Sequence, residues 1–235
     1  MSEKEFIAAL KEIGIVPTEL QLEQLEQYYQ LLISWNERIN LTGITEKEQV
    51  YLKHFYDSAT LNTVIDLNEE TTLCDIGTGA GFPGMVLKIL FPNLKITLID
   101  SLQKRIHFLE EVVNNLKLTN IEIIHARAEE YARTNRECFD VVTARAVAPL
   151  NVLLEYCIPL VKVGKYFVPM KANISREILE SQGALRLLGS SITLEKEFFL
   201  PIENSKRTIL LIKKEHVTNC KYPRKFSDIK KKPLS

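Results

Sequence analysis

The segment LCDIGTGAGFPG, residues 73–84, carries the strongest signal in this 235-residue chain. An apolar run ends at Asp75, four of the residues from 77 to 84 are glycine, and a helix is predicted to begin near Pro83. Each glycine costs backbone entropy when it is ordered, so this density indicates a backbone that turns sharply and approaches a small molecule closely. The segment therefore predicts a buried strand, a ligand-binding turn and the start of a helix.

Two classes of small molecule bind beside glycine turns of this kind, dinucleotides and S-adenosylmethionine. Residues 79–84 fit the dinucleotide pattern G-x-G-x-x-G, and Asp100 follows at about the expected interval. However, Pro83 removes an N–H that a pyrophosphate would use, and Asp75 would repel a pyrophosphate but attract a cationic ligand. The spacing D-x-G-x-G-x-G is typical of S-adenosylmethionine-dependent methyltransferases. The segment thus favours S-adenosylmethionine over a dinucleotide.

The overall composition is that of a globular protein. The hydrophobic fraction is 46%, and no apolar run approaches the roughly 20 residues of a membrane-spanning helix. The first residues, MSEKEF, lack the basic and apolar blocks of a signal peptide. The four cysteines show neither paired nor metal-like spacing. We therefore expect a cytoplasmic monomer that has no metal site and does not contact a membrane.

Charge is distributed unevenly along the chain, although the formal net charge is zero. From residue 213 to the last residue there are eight basic and two acidic residues, a local net charge of +6. A basic tail on an acidic body is typical of a segment that contacts nucleic-acid phosphates, and a solubilising terminus is the alternative. The candidate RNA-binding residues are Lys221, Arg224, Lys225, Lys230, Lys231 and Lys232.

The chain divides into three predicted parts. Residues 1–62 contain helical periodicity and no plausible strand, residues 63–214 alternate strands with helices, and residues 215–235 form the basic tail. The alternation predicts an α/β fold with a doubly wound, mostly parallel sheet. Ligands bind such sheets beyond the carboxyl ends of the strands. Residues that directly follow strands are therefore the candidate site.

Local patterns also predict individual elements. Thr18 and Gln21 have the spacing of a capping box at the start of a helix. One helix is expected near 175–188, and the last two strands are expected at 197–200 and 208–212.

Polar residues suited to a nucleoside cofactor follow three of the predicted strands. Asp100 ends the second strand, where a carboxylate can accept hydrogen bonds from both ribose hydroxyls. Ala128 and Glu129 follow the third strand, where they could flank an adenine ring. Arg145 follows the fourth strand and is expected at the mouth of the cleft. These residues indicate a bound adenosine without deciding between the two cofactors.

The sequence lacks features that two classes of nucleic-acid methylase require. Methylases of adenine amines carry an Asp/Asn-Pro-Pro-aromatic motif after the fourth strand, and this chain has none. Cytosine C5 methylation needs a nucleophilic cysteine, and Cys74, the one nearest the turn, is expected in the core. Guanine N7 attacks a sulfonium methyl with its own lone pair and needs no base, so catalysis rests on positioning. Arg145 could donate to guanine O6 or bind the cofactor carboxylate.

Together these segments resemble the glucose-inhibited division protein B family, the small-subunit ribosomal RNA guanine-N7 methyltransferases. The matching motifs span nearly the whole chain, at residues 35–42, 53–58, 75–84, 100–105, 144–146 and 221–225. The resemblance implies a Rossmann-like class I S-adenosylmethionine-dependent methyltransferase fold with a helical N-terminal extension. It also implies S-adenosylmethionine as methyl donor, S-adenosylhomocysteine as product, and 16S ribosomal RNA or the small ribosomal subunit as acceptor.

The chain departs from the family pattern at two positions. Many relatives have Leu-Lys-Gly where this chain has Met170-Lys171-Ala172, and many have serine where it has Ala144. Neither difference removes a charged group. Methylation of another RNA or another guanine atom, and a non-catalytic nucleotide-binding module, remain the alternatives.

The turn and the resemblance together define the candidate site residues. The candidate catalytic residues are Arg145, His54 and Lys171. His54 has Asp57 three residues later on the same helix face, and Lys171 lies at the end of the fifth strand. The candidate cofactor contacts are Asp75, Gly77, Gly79, Gly81, Phe82, Gly84, Asp100, Ala128, Glu129 and Arg145.

Overall fold

The computed structural model describes residues 1–68 and 71–235, and residues 69 and 70 of the predicted α/β domain lie outside that description. The α-helices are α1 (Glu3–Glu12), α2 (Glu19–Ile39), α3 (Lys47–Val50), α4 (Asp57–Ala59), α5 (Gly84–Leu90), α6 (Gln103–Leu116), α7 (Ala128–Thr134), α8 (Leu150–Cys157), α9 (Ser175–Glu180), α10 (Gln182–Leu188) and α11 (Phe226–Lys231). A π-helical segment at Tyr51–Tyr56 joins α3 to α4, and 3₁₀ turns at Thr60–Thr63 and Ile158–Leu160 follow α4 and α8. The strands are β1 (Thr72–Ile76), β2 (Lys95–Asp100), β3 (Ile121–His125), β4 (Phe139–Arg145), β5 (Val161–Lys171), β6 (Ser190–Phe199) and β7 (Lys206–Lys214).

The seven strands form one sheet in the order β3-β2-β1-β4-β5-β7-β6. Strands β1 to β5 run parallel, and β7 pairs antiparallel with both β5 and β6. This confirms the predicted doubly wound, mostly parallel α/β sheet. The strand order reverses between β1 and β4, so a crevice opens beyond the carboxyl ends of these two strands.

The N-terminal extension is fixed against the glycine turn. Thr18 and Gln21 form the predicted capping box at the start of α2. Farther along this helix, the fully buried ring of Tyr28 stacks on Phe55 with a centroid separation of 5.5 Å. The Tyr28 hydroxyl donates a hydrogen bond to the carbonyl of Ala80 inside the turn. The extension therefore supports the turn, and α2 packs on the same face of the sheet as α5 and α6.

Two elements differ from the sequence prediction. Strand β6 begins at Ser190, whereas the pattern placed it at 197–200. This strand pairs only with β7, and its first part combines hydroxyl residues with the consecutive charged residues 195–197, so its composition hides its start. The helix expected at 175–188 is divided at Ser181 into α9 and α10.

The basic tail packs on the α/β domain. Tyr222, Ile229 and Leu234 are buried in the same apolar cluster as helix α8. The carboxylate of Glu155, which is fully buried on α8, accepts three hydrogen bonds from Arg224. The tail is thus a structured part of the molecule.

Within the described ranges no helix is long and apolar enough to cross a membrane.

Candidate active site

A cleft of about 590 Å³ opens where the strand order reverses. Its walls include Gly77 after β1, Asp100 at the end of β2, Glu129 on α7 and Val147 after β4. This volume is within the usual range for small-molecule sites. The cleft lies at the location that the sheet topology predicts for a ligand.

The glycine turn is shaped by close packing on one side and open space on the other. Gly77 has a φ of +66°, and a Cβ there would lie 2.7 Å from a methyl group of Val147. Gly79 has a φ of +63°, and the nearest protein atom to its Cβ position is the Gly77 carbonyl oxygen, 4.0 Å away. A side chain at Gly77 would collide with the cleft wall, whereas Gly79 leaves room for a ligand to approach the backbone.

Asp75 organises the turn from beneath it. The carboxylate is fully buried, and one oxygen accepts hydrogen bonds from the Thr78 hydroxyl at 2.7 Å and the Gly84 N–H at 2.9 Å. The other oxygen has no hydrogen-bond partner among the described residues. Burial raises the pKa of Asp75 to about 6. Asp75 is absent from the cleft walls, so it acts on a ligand through the turn and through its charge.

We expect the free energy of unfolding of Asp75→Asn, relative to that of wild type, to rise by about 1 to 2 kcal/mol between pH 5 and pH 8. The pKa of Asp75 rises from 3.8 to about 6 on folding, so wild-type stability falls as pH increases through this window. The asparagine oxygen accepts the same two hydrogen bonds without a charge, and the cost of its unpartnered amide nitrogen is the same at both pH values. Urea unfolding at pH 5 and pH 8 measures the effect. Asp66→Asn, at an exposed carboxylate, is the matched control and should show no such gain.

Asp100 connects the second strand to the glycine turn. One of its oxygens accepts hydrogen bonds from the Gly79 N–H at 2.9 Å and from Arg105 at 3.1 Å, and the other accepts the Leu102 N–H at 2.9 Å. A carboxylate has about four acceptor positions, so one remains for a ribose hydroxyl. Arg105, which ends the matching motif 100–105 and was not among the candidate site residues, also lines the cleft. Its position five residues after Asp100 was the sequence signal that could have indicated a contact between the two side chains.

The end of the cleft that is predicted to hold adenine is formed by α7 and the tail. Ala128 and Glu129 begin α7, and the Glu129 side chain is buried against the cleft. The guanidinium of Arg127 lies 4.6 Å from the centre of the Phe226 ring. Phe226 and Lys230, both on α11, complete the outer wall. Sequence reasoning missed this wall because it treated the tail as separate from the cofactor site.

Arg145 points to the helical extension. Its guanidinium donates to the Asp57 carboxylate and the Lys53 carbonyl, both at 2.9 Å, and to Nδ1 of His54 at 3.1 Å. It also lies over the Phe82 ring, 5.2 Å from the centre. The structure thus brings three predicted site residues, Arg145, His54 and Phe82, into one cluster beside the turn. Arg145 is not among the cleft walls, and its role as a cofactor contact stays a prediction.

His54 is held as a neutral ring. A guanidinium only donates, so Nδ1 accepts from Arg145 and Nε2 carries the proton that is donated to the Thr42 hydroxyl at 2.8 Å. The ring stacks on Phe82 with a centroid separation of 4.3 Å. Burial and the nearby Arg145 lower the pKa of His54 to about 3. His54 is therefore a positioning residue and cannot act as a base at neutral pH.

Asp57 is the shared partner of two arginines. It is almost fully buried, and its second oxygen accepts a hydrogen bond from Nε of Arg207 on β7 at 3.1 Å. Two flanking guanidinium groups keep the cluster cationic although it contains a carboxylate. Arg207 lies 62 residues from Arg145 in the sequence, so no local motif could have found it.

Lys171 supports the loop that follows β4. Its ammonium donates to the Ala148 carbonyl at 2.7 Å and to Glu177 at 2.8 Å. The same Glu177 oxygen accepts the Leu150 N–H at the start of α8 at 2.6 Å. Lys171 thus positions a cleft wall, and direct substrate contact stays a prediction.

In the described part of the chain no group of three His, Cys, Asp or Glu residues could hold a metal ion.

The predicted RNA-binding residues have unequal surroundings. Arg224 is held by Glu155 through Nε at 2.8 Å and through a terminal nitrogen at 2.6 Å. Lys221, Lys225 and Lys230 are exposed. Their role in binding RNA stays a prediction.

The residues of the cleft fit S-adenosylmethionine. Asp100 has an acceptor position left for a ribose hydroxyl, and the buried residue Glu129 also lines the cleft. Gly79 allows the backbone to approach a ligand. The unpartnered oxygen of Asp75 leaves a negative charge beneath the turn, which suits a sulfonium cation.

Solved structures of S-adenosylmethionine-dependent methyltransferases share the fold. An O-methyltransferase from Thermotoga maritima aligns over 77% of this chain and 71% of its own, with a TM-score of 0.53 at 16% identity. M. jannaschii TYW2, solved in complex with AdoMet, aligns over 62% and 68%, with a TM-score of 0.51 at 16% identity. The sheet order and its cleft define a class I S-adenosylmethionine-dependent methyltransferase fold with a helical N-terminal extension, as the sequence predicted.

The sequence comparisons define the family within this class. The family model for rRNA small subunit methyltransferase G matches residues 21–209. Ribosomal RNA small subunit methyltransferase G of Exiguobacterium sibiricum is 48% identical over 237 residues and covers 100% of both chains. The Bacillus licheniformis protein of the same name is 49% identical and covers 100% of this chain and 99% of its own. This chain belongs to the rRNA small subunit methyltransferase G family, which confirms the resemblance.

Proposed function

We propose that this protein transfers the methyl group of S-adenosylmethionine to N7 of a guanine in 16S ribosomal RNA. The observation that carries the proposal is the full-length match to the family at 48–49% identity, on a fold whose cleft fits the cofactor. The bound cofactor would supply an electrophilic methyl group on a sulfonium centre. The protein's own residues hold the two substrates in line.

The polar cluster beside the turn supports a ring nitrogen as the acceptor. Both ring nitrogens of His54 are engaged, and Asp57 is paired with two arginines. Among the described residues of this cluster no side chain is free to remove a proton. Guanine N7 loses no proton when it is methylated, so it needs no such group. An exocyclic amine would need one.

Arg145 is the residue that we assign to the acceptor base. Three of its five N–H donors are used by Asp57, Lys53 and His54. The remaining donors can bind O6, which lies beside N7 on the same edge of guanine. Phe82, which contacts both Arg145 and His54, borders the same space between the turn and the extension.

The acceptor that we propose is 16S ribosomal RNA, free or within the small ribosomal subunit, and the place of action is the cytoplasm. We further propose that a monomer is sufficient, because the cleft and the polar cluster are both built from one chain.

The experiment that tests this function uses radiolabelled S-adenosylmethionine. The protein is incubated with ribosomal RNA or small subunits from a strain that lacks it, and labelled nucleosides are separated by chromatography. Label in 7-methylguanosine of the small-subunit RNA is expected. Label in another nucleoside or another RNA would contradict the assigned acceptor. Cofactor binding without any transfer would favour a non-catalytic binding module.

A further inference from the structure

A basic pocket lies beside the tail, across helix α11 from the cofactor cleft. Its volume is about 590 Å³. The charged residues that line it are Arg133, Arg136, Lys221, Arg224, Lys225 and Asp228. Five cations face one acid, so the pocket favours an anionic ligand.

Most of this positive charge is not neutralised within the protein. Arg136 donates at 2.6 Å to each of two main-chain carbonyls of the tail, and Arg133 donates at 3.4 Å to a third. Carbonyl acceptors orient a guanidinium group but leave its charge in place. Among the described residues, Arg224 is the only cation of this pocket with a carboxylate partner, the buried Glu155. Arg133 and Arg136 are therefore oriented by carbonyl groups and retain their charge.

Helix α11 separates the pocket from the cofactor cleft. Phe226 and Lys230, four residues apart, line the cleft, whereas Lys225 and Asp228, three residues apart, line the pocket. A polyanion in the pocket would thus lie one helix diameter from the cofactor wall.

We infer that this pocket binds consecutive backbone phosphates of the ribosomal RNA substrate, an inference that rests on the proposed function. Arg133, Lys221 and Lys225 are exposed and come from two segments, α7 and the tail. Cations spread along an open pocket suit several phosphates of a strand better than one compact anion. Arg133 and Arg136 thereby join the RNA-contacting surface, although the sequence had assigned this role only to the tail.

Salt-dependent RNA binding tests the pocket. The triple variant Arg133→Gln, Lys221→Gln, Lys225→Gln removes three exposed cations without touching Arg136 or the Glu155–Arg224 pair. We expect the slope of log K against log salt to become shallower by about 2, with Kd at low salt rising about tenfold or more. The cofactor Kd should stay unchanged. A matched variant on exposed lysines outside the pocket, Lys4→Gln, Lys11→Gln, Lys117→Gln, should keep the wild-type slope.

Protection of Cys220 gives a second readout at the pocket itself. Cys220 is exposed and lines the pocket, and Cys138→Ser removes the other exposed cysteine. Ribosomal RNA should slow the alkylation of Cys220 by iodoacetamide at least about fivefold, and the triple variant should lose this protection. Protection by 10 mM inorganic phosphate that equals the protection by RNA would overturn the inference in favour of a free-anion site.

The inference and the proposed function fail in different ways. Binding slopes and Cys220 protection need no turnover, so they test the pocket even if no methyl group is transferred. An unchanged slope in the triple variant, with 7-methylguanosine still formed by wild type, would reject the pocket and keep the function.

Discussion

Replacing Arg145 by lysine should lower kcat/KM for methyl transfer to ribosomal RNA about 100-fold, while the cofactor Kd changes less than about threefold. The guanidinium contacts Asp57, Lys53 and His54 at once, and a lysine ammonium cannot reproduce that planar fork. A displacement of about 1 Å between reacting groups is enough for a loss of this size. Steady-state kinetics with RNA and calorimetric cofactor binding, on the same preparation, measure both quantities.

Lysine is the informative substitution at this position because it keeps a cation beside the buried Asp57. Removing the charge altogether would leave that carboxylate with one partner fewer, and the variant could fail to fold. Arg207→Lys is the matched control, since Arg207 binds the other oxygen of Asp57 from β7. It should lose less than about tenfold in kcat/KM. A rise in cofactor Kd that accounts for the whole loss in Arg145→Lys would assign Arg145 to the cofactor carboxylate.

The local fold was predictable wherever one segment contains its own signal. The sequence pattern predicts a strand at 95–100, a helix at 103–116 and a strand at 121–125, and β2, α6 and β3 have these bounds. Apolar periodicity and flanking polar residues define these elements locally. The start of strand β6 was not predictable, because an edge strand with one pairing partner can carry charged residues along its length. Its extension to Ser190 depends on pairing with β7, a tertiary contact.

The site was predictable where ligand chemistry restricts the backbone, and less so where distant side chains meet. The structure places Gly77 and Asp100 in the cleft walls, where their spacing in the sequence predicted a ligand, and their contacts with the cofactor stay a prediction. The contacts of Arg145 with the extension cross about 90 residues of sequence, and those of Arg207 with Asp57 cross 150. The position of Phe226 in the cofactor wall depends on how the tail folds back. Such contacts are decided by packing and leave no local pattern.

Replacing Arg224 by alanine should destabilise the protein by about 3 kcal/mol or more and raise the cofactor Kd about tenfold. Arg224 is the only charged partner that the described structure gives to the fully buried Glu155, and breaking a buried pair from one side leaves an uncompensated charge. The same ion pair holds the tail against α8, and helix α11 of the tail places Phe226 in the cleft wall. Loss of one ordered aromatic wall costs about 1.4 kcal/mol of binding, a factor of ten. Urea unfolding and cofactor titration measure the two effects.

The double variant Glu155→Leu, Arg224→Leu separates charge from architecture. Replacing both partners by apolar residues removes the buried charge, so most of the lost stability should return. Cofactor affinity should return with it if the tail then packs again on α8, because the wall needs the tail in place and needs no particular charge at Arg224. A double variant that is stable but still binds the cofactor weakly would contradict the assignment of the tail to the cleft wall. In that case the tail would be packed on α8 without restoring cofactor affinity. If the Arg224→Ala variant is destabilised but keeps the wild-type cofactor affinity, the assignment of the tail to the cleft wall is also wrong. The tail would then contribute to RNA binding and not to cofactor binding.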